Sequence, residues 1–406
     1  MRKPGKVVIV SQHYPPDRST TAAIMSAIAE HLASEVPVLI LSGTSGSATN
    51  DSAPLSRPAV VEIKNWIPAK AALIRRAAAE ASFTMRAFLA LLRKLQRGDV
   101  VITVTAPFTL PYAVAAAARL KHAQSVLIMH DLFPEVLVMA GLLRATSILV
   151  KLIRGANSLM FRALNAVVTI GRDTDQHLLR YNGMTREKIW FIPNWATLAP
   201  RVRPIRADNT YRPANARVVV GLSGNLGFTH DPVIVFDAAR LLKDDPDIHF
   251  LLSGWGVGFE RLKALQSEAS LPNVTLVERV PEEYLEEFLS AADIWLIPYR
   301  KNVAGISVPS RFYNLLAIGR PVIIISEPDS EAALILAEHR LGWVVTPGNP
   351  DRLAKTIREA YVSKDLSQAD RAAAIAMQFS FPRAMASYSE LIQKLLRDPK
   401  QPKPIS

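Results

Sequence analysis

The stretch Ser307–Ile325, SVPSRFYNLLAIGRPVIII, decides the fold of the second half of the chain. It predicts a tight loop, a short helix, a Gly-Arg-Pro turn and a buried strand. Pro309 and Ser310 are typical of a helix start, because serine accepts from free backbone N–H groups and proline lacks that donor. Arg311 then falls in the first turn, where the helix dipole disfavours a cation. Either an anion binds there, as phosphates do at helix starts, or the arginine is simply solvated.

Length and composition set the class of protein. A chain of 406 residues with 49% hydrophobic and 21% charged residues predicts two or three globular domains. It has no cysteine, which excludes disulfides, zinc–thiolate sites and cysteine nucleophiles and fits a reducing cytoplasm. The apolar run Val7–Val10 is too short for a signal peptide. No window of about 18 residues is both apolar and uncharged, so we expect no transmembrane helix.

The net charge of +12 is uneven along the chain. Residues 1–213 carry 27 basic and 13 acidic side chains, whereas residues 214–406 carry 21 and 23. Basic and aromatic residues are not interleaved and no nucleic-acid motif occurs, so we expect no nucleic-acid partner. Residues 70–97 and 142–168 are basic and amphipathic. They predict contact with an anionic membrane surface, or else two surface helices that pack on a sheet.

Apolar strands alternate with helical segments in both halves of the chain. The predicted strands are Lys6–Ser11, Val36–Ser42, Asp99–Thr105, Ser125–Met129, Ala166–Ile170, Lys188–Ile192, Val218–Ser223, Ile248–Ser253, Val274–Val277, Ile294–Ile297, Val322–Ile325 and Gly342–Val345. This pattern predicts two doubly wound α/β domains with parallel sheets. Ligands of such sheets bind beyond the carboxyl ends of the strands, so the loops there are the candidate sites.

The predicted domains are residues 1–200 and 214–375, joined by a proline-rich linker. A helix follows at 376–398, and residues 399–406, rich in proline and lysine, are expected to be disordered.

Two loops of the first domain carry candidate residues. After the first strand, Ser19, Thr20 and Thr21 can cap a helix and present its N–H groups to an anion, or form a simple capped turn. After the fourth strand come His130 and Asp131, with Glu135 close behind. We expect His130 to polarise a substrate hydroxyl or stabilise a phosphate, and a purely structural histidine is the alternative.

Asp173-Thr174-Asp175 can either hold a divalent metal or cap the helix that begins there. We favour the cap, because no third ligand is evident and acids suit a first helical turn. His177 is expected on the surface of that helix.

The second domain offers glycine turns and one acidic helix start. Gly221, Gly224 and Gly227 follow its first strand and permit close approach of a ligand. The turn with Gly254, Gly256 and Gly258 is interpreted as mostly structural. Ser330 and Glu331 follow the strand after the opening stretch. Glu331 could accept from ribose hydroxyls, or it could be the acidic first turn after an N-cap.

The motifs YPPD, HDLFPE, IPNW, SGNLG, VPSRFYNLLAIGRPVI and DSE occur in one ordered set. The set resembles the retaining family 4 glycosyltransferases of GT-B fold. It is most similar to bacterial enzymes of O-antigen, capsule and exopolysaccharide assembly, which often transfer amino sugars to lipid-linked acceptors. The resemblance implies an acceptor-binding first domain and a nucleotide-sugar-binding second domain, both Rossmann-like, facing across a cleft. It also implies a C-terminal helix that crosses back to the first domain.

The resemblance also implies roles for particular residues. His130 would lie over the transferred sugar, with Asp131 beside it as the second catalytic candidate. Thr20 and Thr21 would lie on the acceptor side of the cleft. The implied donor-binding residues are Gly224, Asn225, Gly227, Val280 (near the base), Ser307, Ser310, Arg311 (at the diphosphate), Asn314 and Glu331 (at the ribose). No metal and no cofactor is expected.

The implied partners are a nucleotide-sugar, UDP-linked by preference, and a polyprenyl-diphosphate-linked saccharide at the inner face of the cell membrane. The chain departs from the broad family at Ile306 and Asn314, which stand where two glutamates are usual. Asn225 and His230 stand where arginine and lysine often follow the first strand of the second domain. Two alternatives stay open. One is a nucleotide-sugar epimerase of similar fold, and the other, motivated by the absent glutamate pair, is a nucleotide-sugar-binding scaffold without activity.

Overall fold

A computed structural model describes residues 5–48, 56–66, 73–363, 365 and 367–397. The predicted disordered tail and the start of the basic segment at residue 70 lie outside these ranges.

The first half of the chain forms a seven-stranded parallel sheet in the order β3-β2-β1-β4-β5-β6-β7. Its strands are β1 Val7–Ser11, β2 Val38–Ser42, β3 Ala59–Glu62, β4 Val100–Val104, β5 Gln124–Met129, β6 Ala166–Thr169 and β7 Ile189–Phe191. β1, β4 and β5 are buried along their whole length. Helices on both faces require such continuous apolar strands.

The helices of this half are α1 Thr20–Ala33, α2 Leu73–Lys94, α3 Leu110–Lys121, α4 Glu135–Met139, α5 Ile148–Ala163 and α6 Thr174–Leu178. α3 packs against both α2 and α5, so these three helices form one layer on the sheet. A single helical turn at Arg186–Lys188 precedes β7. The basic segments of the sequence therefore lie on one face of the first domain.

The second half forms a six-stranded parallel sheet in the order β10-β9-β8-β11-β12-β13. Its strands are β8 Val218–Leu222, β9 Ile248–Ser253, β10 Val274–Val277, β11 Ile294–Pro298, β12 Val322–Ile325 and β13 Gly342–Val345. Its helices are α7 Pro232–Leu241, α8 Val257–Ala269, α9 Leu285–Ser290, α10 Arg311–Ala317, α11 Glu331–His339, α12 Pro350–Val362 and α13 Gln368–Ala376. The two doubly wound sheets confirm the predicted α/β fold.

The last helix, α14 Phe381–Arg397, returns to the first sheet. Its buried residues Tyr388, Leu391 and Ile392 belong to the core formed by β1, β4 and α1. Nearby, the Ala196 N–H donates to the Phe379 carbonyl at 3.0 Å. The chain thus crosses twice between the halves, whereas the exact domain boundaries stay a prediction. Within the ranges that the structure describes, no helix has the length and apolarity to cross a bilayer.

Two local predictions were wrong. The strand β3 was missed, because its sequence, AVVE, contains only two strongly apolar residues and therefore lacks the apolar run that marks the other strands. Helix α10 does begin after Pro309, but Ser310 has helical backbone angles and its side chain makes no capping hydrogen bond. The first turn of α10 is therefore not closed by the serine hydroxyl.

Candidate active site

A cleft of about 300 Å³ opens between the two sheets, at the carboxyl ends of β5, β8, β9 and β11 and at the starts of α1 and α10. Its polar lining comes from both halves: Thr20, Thr21, His130, Asp131 and Asn194, then Ser223, Asn225, Thr229, His230, Tyr299, Ser307, Ser310 and Arg311. The sequence predicted a ligand site at these strand ends, and the fold brings most of the predicted residues together.

His130 and Asp131 lie side by side on the first-domain wall of the cleft. Burial lowers the pKa of His130 to about 4, so its ring is neutral at pH 7. Its Nε2 atom is buried and has no hydrogen-bond partner in the described chain. Burial raises the pKa of Asp131 to about 6, which leaves it mostly ionised at pH 7. The pair offers a neutral imidazole and a carboxylate to a bound ligand.

Arg311 lies on the opposite wall, at the start of α10. Its guanidinium makes no hydrogen bond and no ion pair with any residue that the structure describes. Burial lowers its pKa; the charge of Glu282 raises it and that of Arg279 lowers it further. A desolvated arginine without a counter-ion is costly, so this wall favours an anionic ligand.

The glycine loop after β8 faces the same space. Gly224 has φ +130°, a conformation that side chains rarely adopt. The Cβ of any residue at position 254 would lie 2.4 Å from the Gly224 carbonyl, so the loops after β8 and β9 touch backbone to backbone. Among the described residues, the N–H groups of Asn225 and Gly227 have no hydrogen-bond acceptor. They are donors available to a ligand at Arg311.

Thr20 and Thr21 line the first-domain side, at the start of the 14-residue helix α1. Ser19 caps that helix by accepting from the Ala22 N–H at 3.2 Å, as the sequence predicted. Ser307 and Ser310, which precede Arg311 in the chain, also line the cleft.

Three predicted donor-binding residues lie outside the lining. The Asn314 carboxamide oxygen accepts from the N–H groups of Thr197 and Leu198, at 2.7 and 3.2 Å, and so holds the linker. The Val280 side chain is partly buried against the hydrophobic core of the second domain. Contact of Val280, Asn314 and Glu331 with a donor stays a prediction.

Glu331 lies in the interface of the two halves, with 1% of its surface exposed. Its carboxylate accepts from the backbone N–H of Arg172 at 2.7 Å and from Arg172 Nε at 3.1 Å. The outer nitrogens of Arg172 donate to the two oxygens of Glu338 at 3.0 and 3.1 Å. The acid predicted for ribose is thus engaged by an arginine of the other half.

The interpretation of Asp173 as the cap of helix α6 was wrong. Helix α6 begins at Thr174, yet the Asp173 side chain makes no capping bond to it. Its Oδ2 atom accepts instead from the N–H groups of Gly305 and Glu331, at 2.8 and 2.9 Å. His177, expected on the helix surface, lies against Gly305. In the described ranges no group of three His, Asp or Glu side chains could hold a metal.

Sequence reasoning missed Trp255, which lines the cleft from the glycine turn after β9. The Arg279 guanidinium lies 4.5 Å from the centre of its ring, a cation–π contact. The available signal was a tryptophan between two glycines directly after a strand, where ligands bind. The turn was interpreted as structural, so this signal was not used. Tyr299 was also missed, and its buried hydroxyl has no hydrogen-bond partner in the described chain.

Family models match both halves of the chain. Residues 19–195 match the model described as "Glycosyl transferase 4-like domain". Residues 208–377 match the model described as "Glycosyl transferases group 1".

Two curated relatives are bacterial. The chain is 28% identical over 270 residues to the probable glycosyltransferase WbjE of Pseudomonas aeruginosa, covering 66% of this chain and 67% of the relative. It is 24% identical over 305 residues to WcaI of Escherichia coli K12, a putative glycosyl transferase of colanic acid biosynthesis, covering 73% and 74%.

Solved structures agree on the fold. The sucrose-phosphate synthase of Thermosynechococcus elongatus aligns with a TM-score of 0.69 at 16% identity, covering 97% of this chain and 99% of the other. Anabaena HepE, solved in complex with UDP, aligns with a TM-score of 0.64 at 17% identity, covering 96% and 100%. With both halves matched and this fold, the chain belongs to the GT-B glycosyltransferases that combine a 4-like domain with a group 1 domain.

Proposed function

We propose that this glycosyltransferase moves a sugar, of the hexose or N-acetylhexosamine type, from a UDP-linked donor to a polyprenyl-diphosphate-linked saccharide with retention of configuration. The observation that carries the proposal is the unpaired Arg311 in the cleft, across from His130 and Asp131. The relative WcaI, which is named for colanic acid biosynthesis, supports a role in surface polysaccharide assembly.

The donor diphosphate is proposed to bind between Arg311 and the loop of Asn225 and Gly227. The guanidinium and the free N–H groups stabilise the negative charge that develops on the leaving diphosphate. Since these groups supply the charge compensation, we propose that donor use needs no metal and no cofactor. Trp255 offers an aromatic face beside this site, and the UDP complex of Anabaena HepE supports UDP as the nucleotide.

The acceptor is proposed to enter from the side of Thr20 and Thr21. The bond from the sugar C1 to the diphosphate oxygen breaks, and the acceptor oxygen forms the new bond on the same face. The acceptor proton passes to the departing diphosphate oxygen. His130, neutral at pH 7, orients a sugar hydroxyl through one ring nitrogen, and Asp131 can accept from a second hydroxyl.

Membrane contact is proposed for the layer of α2, α3 and α5. On α5, Ile148, Leu149, Leu152 and Leu159 are between 52% and 77% exposed, and Lys151 lies exposed among them. On α2, Met85 and Leu89 are exposed beside Arg93 and Lys94. Apolar side chains interleaved with cations suit an anionic bilayer surface. We place the enzyme at the inner face of the bacterial cell membrane.

The reaction is tested with a panel of UDP- and GDP-sugars and a polyprenyl-diphosphate-linked N-acetylglucosamine. The proposal predicts lipid-linked disaccharide from a UDP-sugar, equally with and without EDTA, and an unchanged anomeric configuration by NMR. Epimer formed without acceptor would establish the epimerase instead. Donor binding with no product from any pair would establish the scaffold, which the replacements at Ile306 and Asn314 motivate.

Membrane contact is tested by co-sedimentation with vesicles that contain phosphatidylglycerol. Leu152→Glu on α5 should reduce the bound fraction severalfold. Leu241→Glu is the matched control, because Leu241 is 49% exposed but lies on the second domain. Equal binding of both variants would contradict contact through α5.

A further inference from the structure

A second pocket, of about 720 Å³, adjoins the cleft. It lies among α4, α5, α6 and the loop that follows β11. Ile306 lines this pocket and the next residue, Ser307, lines the cleft. On the other wall, Asp131 lines the cleft and Glu135 lines the pocket. Consecutive Cα atoms lie about 3.8 Å apart, so the two spaces are neighbours at Ile306 and Ser307. One extended ligand can therefore reach from the cleft into the pocket.

A polar network fixes the first-domain wall of the pocket. The Glu135 carboxylate accepts from Arg154 Nε at 3.0 Å and from the Tyr181 hydroxyl at 3.2 Å. The Asn157 amide donates to the Tyr181 hydroxyl at 3.4 Å and to the Phe133 carbonyl at 2.7 Å. The wall is therefore preorganised, and its one acid is already neutralised by Arg154.

Part of the positive charge in the pocket has no protein partner in the described chain. Arg154 uses Nε for Glu135, and in the described chain its two outer nitrogens have no hydrogen-bond partner. Arg180, exposed on the rim, makes neither a hydrogen bond nor an ion pair with the residues described. His177 also lines this side of the pocket. Guanidinium groups match phosphate oxygens in geometry and charge, so the pocket suits a phosphate or diphosphate.

Gly155 leaves the backbone of α5 open to the pocket. It lies in the middle of the 16-residue helix α5 and lines the pocket. Glycine is a poor helix former, and a Cβ at this position would meet nothing within 4 Å. Protein packing therefore does not require the glycine. The glycine leaves the helix backbone open and gives room for a ligand beside α5.

The same helix carries the exposed apolar side chains Ile148, Leu149, Leu152 and Leu159. The cleft, the cationic pocket and this apolar surface follow one another along the first domain. Their order matches an amphiphile with a sugar at one end, phosphate in the middle and hydrocarbon at the other end.

We propose that this pocket binds the diphosphate that joins the acceptor saccharide to its lipid. The inference rests on the proposed function, because it names the acceptor-holding part of that site. Arg180 and Arg154 bind the diphosphate oxygens, and Gly155 leaves room for the group beside α5.

The test is a calorimetric titration with farnesyl diphosphate, inorganic pyrophosphate and farnesol as probes. Farnesyl diphosphate should bind more tightly than either fragment. Arg180→Ala should weaken its binding roughly tenfold, about 1.4 kcal/mol. Arg261→Ala, a change at an exposed arginine of α8, should leave it unchanged. Equal farnesyl diphosphate affinity in the wild type and Arg180→Ala would overturn the proposal.

Two substitutions of Gly155 separate occlusion from folding. Gly155→Trp should abolish farnesyl diphosphate binding, whereas Gly155→Ala should retain it and melt at the same or a higher temperature. UDP affinity is measured on the same variants and should not change. A wild-type protein that binds farnesyl diphosphate but not UDP would overturn the donor site of the proposed function and leave the pocket standing. Intact UDP and farnesyl diphosphate binding in Gly155→Trp would overturn the pocket.

Discussion

Two arginines at the junction of the sheets show opposite surroundings. Arg172 donates from its backbone and side chain to Glu331 and through both outer nitrogens to Glu338. Arg311 makes no hydrogen bond with any described residue. The two glutamates raise the pKa of Arg172 against the effect of burial, whereas burial lowers the pKa of Arg311. One cation holds the halves together, and the other is left for a ligand.

The contrast extends in part to the groups around them, although Asp173 Oδ1 is also buried without a partner in the described chain. Beside Arg172, Asp173 Oδ2 accepts from two N–H groups of the second half. In the cleft, His130 Nε2 and the Tyr299 hydroxyl are buried without partners in the described chain. Buried polar atoms without partners are uncommon, and those that occur call for an explanation. A ligand in the cleft would supply the contacts that these two atoms lack.

Removal of Arg172 should have the largest effect on stability. Arg172→Ala leaves the Glu331 carboxylate buried with only its backbone donor. Loss of one partner of a buried pair costs about 3–5 kcal/mol, and we expect the lower end of that range because the Arg172 side chain is 40% exposed. Urea unfolding measures the loss. Glu338→Gln is the control, because Glu338 is 44% exposed and an exposed pair contributes about 0–1 kcal/mol. Similar losses in the two variants would remove the distinction between a buried and an exposed partner.

Replacement of Asp131 should give the second-largest change in stability, and the size of that change should depend on pH. Its pKa of about 6 in the folded protein lies above the ordinary value of 3.8, so the folded state holds the proton longer. Wild-type stability should therefore fall as pH rises from about 4 to 6. Asp131→Asn cannot ionise and should gain about 2–3 kcal/mol over wild type between pH 4 and pH 8.

Urea unfolding at both pH values measures this gain. Asp329→Asn, at an exposed aspartate of the second domain, should change stability by less than about 0.5 kcal/mol at either pH. A gain of the same size at pH 4 and pH 8 would show that Asp131 does not titrate in this range.

Serine-to-alanine substitutions at the starts of α10 and α11 should give the smallest changes in stability. Ser330 caps α11 by accepting from the Ala333 N–H, so Ser330→Ala should cost about 1 kcal/mol. Ser310 makes no capping bond, so Ser310→Ala should cost less than about 0.5 kcal/mol. Thermal unfolding of the pair measures the difference. A larger loss in Ser310→Ala would show a cap that the structure lacks.

The sheets could be predicted because their strands are continuous apolar runs. Val274–Val277 and Val322–Ile325 have the predicted bounds. The cleft could be predicted as well, because parallel strands place their following loops at one edge. His130 and Gly224 reach it from two separate loops and Arg311 from the start of α10.

The contacts between the halves could not be predicted in the same way. Asp173 and Glu331 each have the local pattern of a helix start, and that pattern favoured a cap and a ribose ligand. Their hydrogen-bond partners lie up to 159 residues away, and no local periodicity reports such a distance. Trp255 was missed for a related reason, because a glycine turn looks the same whether or not it faces a ligand.

The central claim is that Arg311 is left unpaired for the diphosphate of a nucleotide donor. Calorimetric titration of UDP into the wild type and Arg311→Ala tests it, with Arg261→Ala as the control on α8. Loss of a charge-assisted phosphate contact should weaken UDP binding by about 1.5–3 kcal/mol, with no loss of thermal stability, because Arg311 has no described protein partner. Equal UDP affinity in the wild type and Arg311→Ala would contradict the claim.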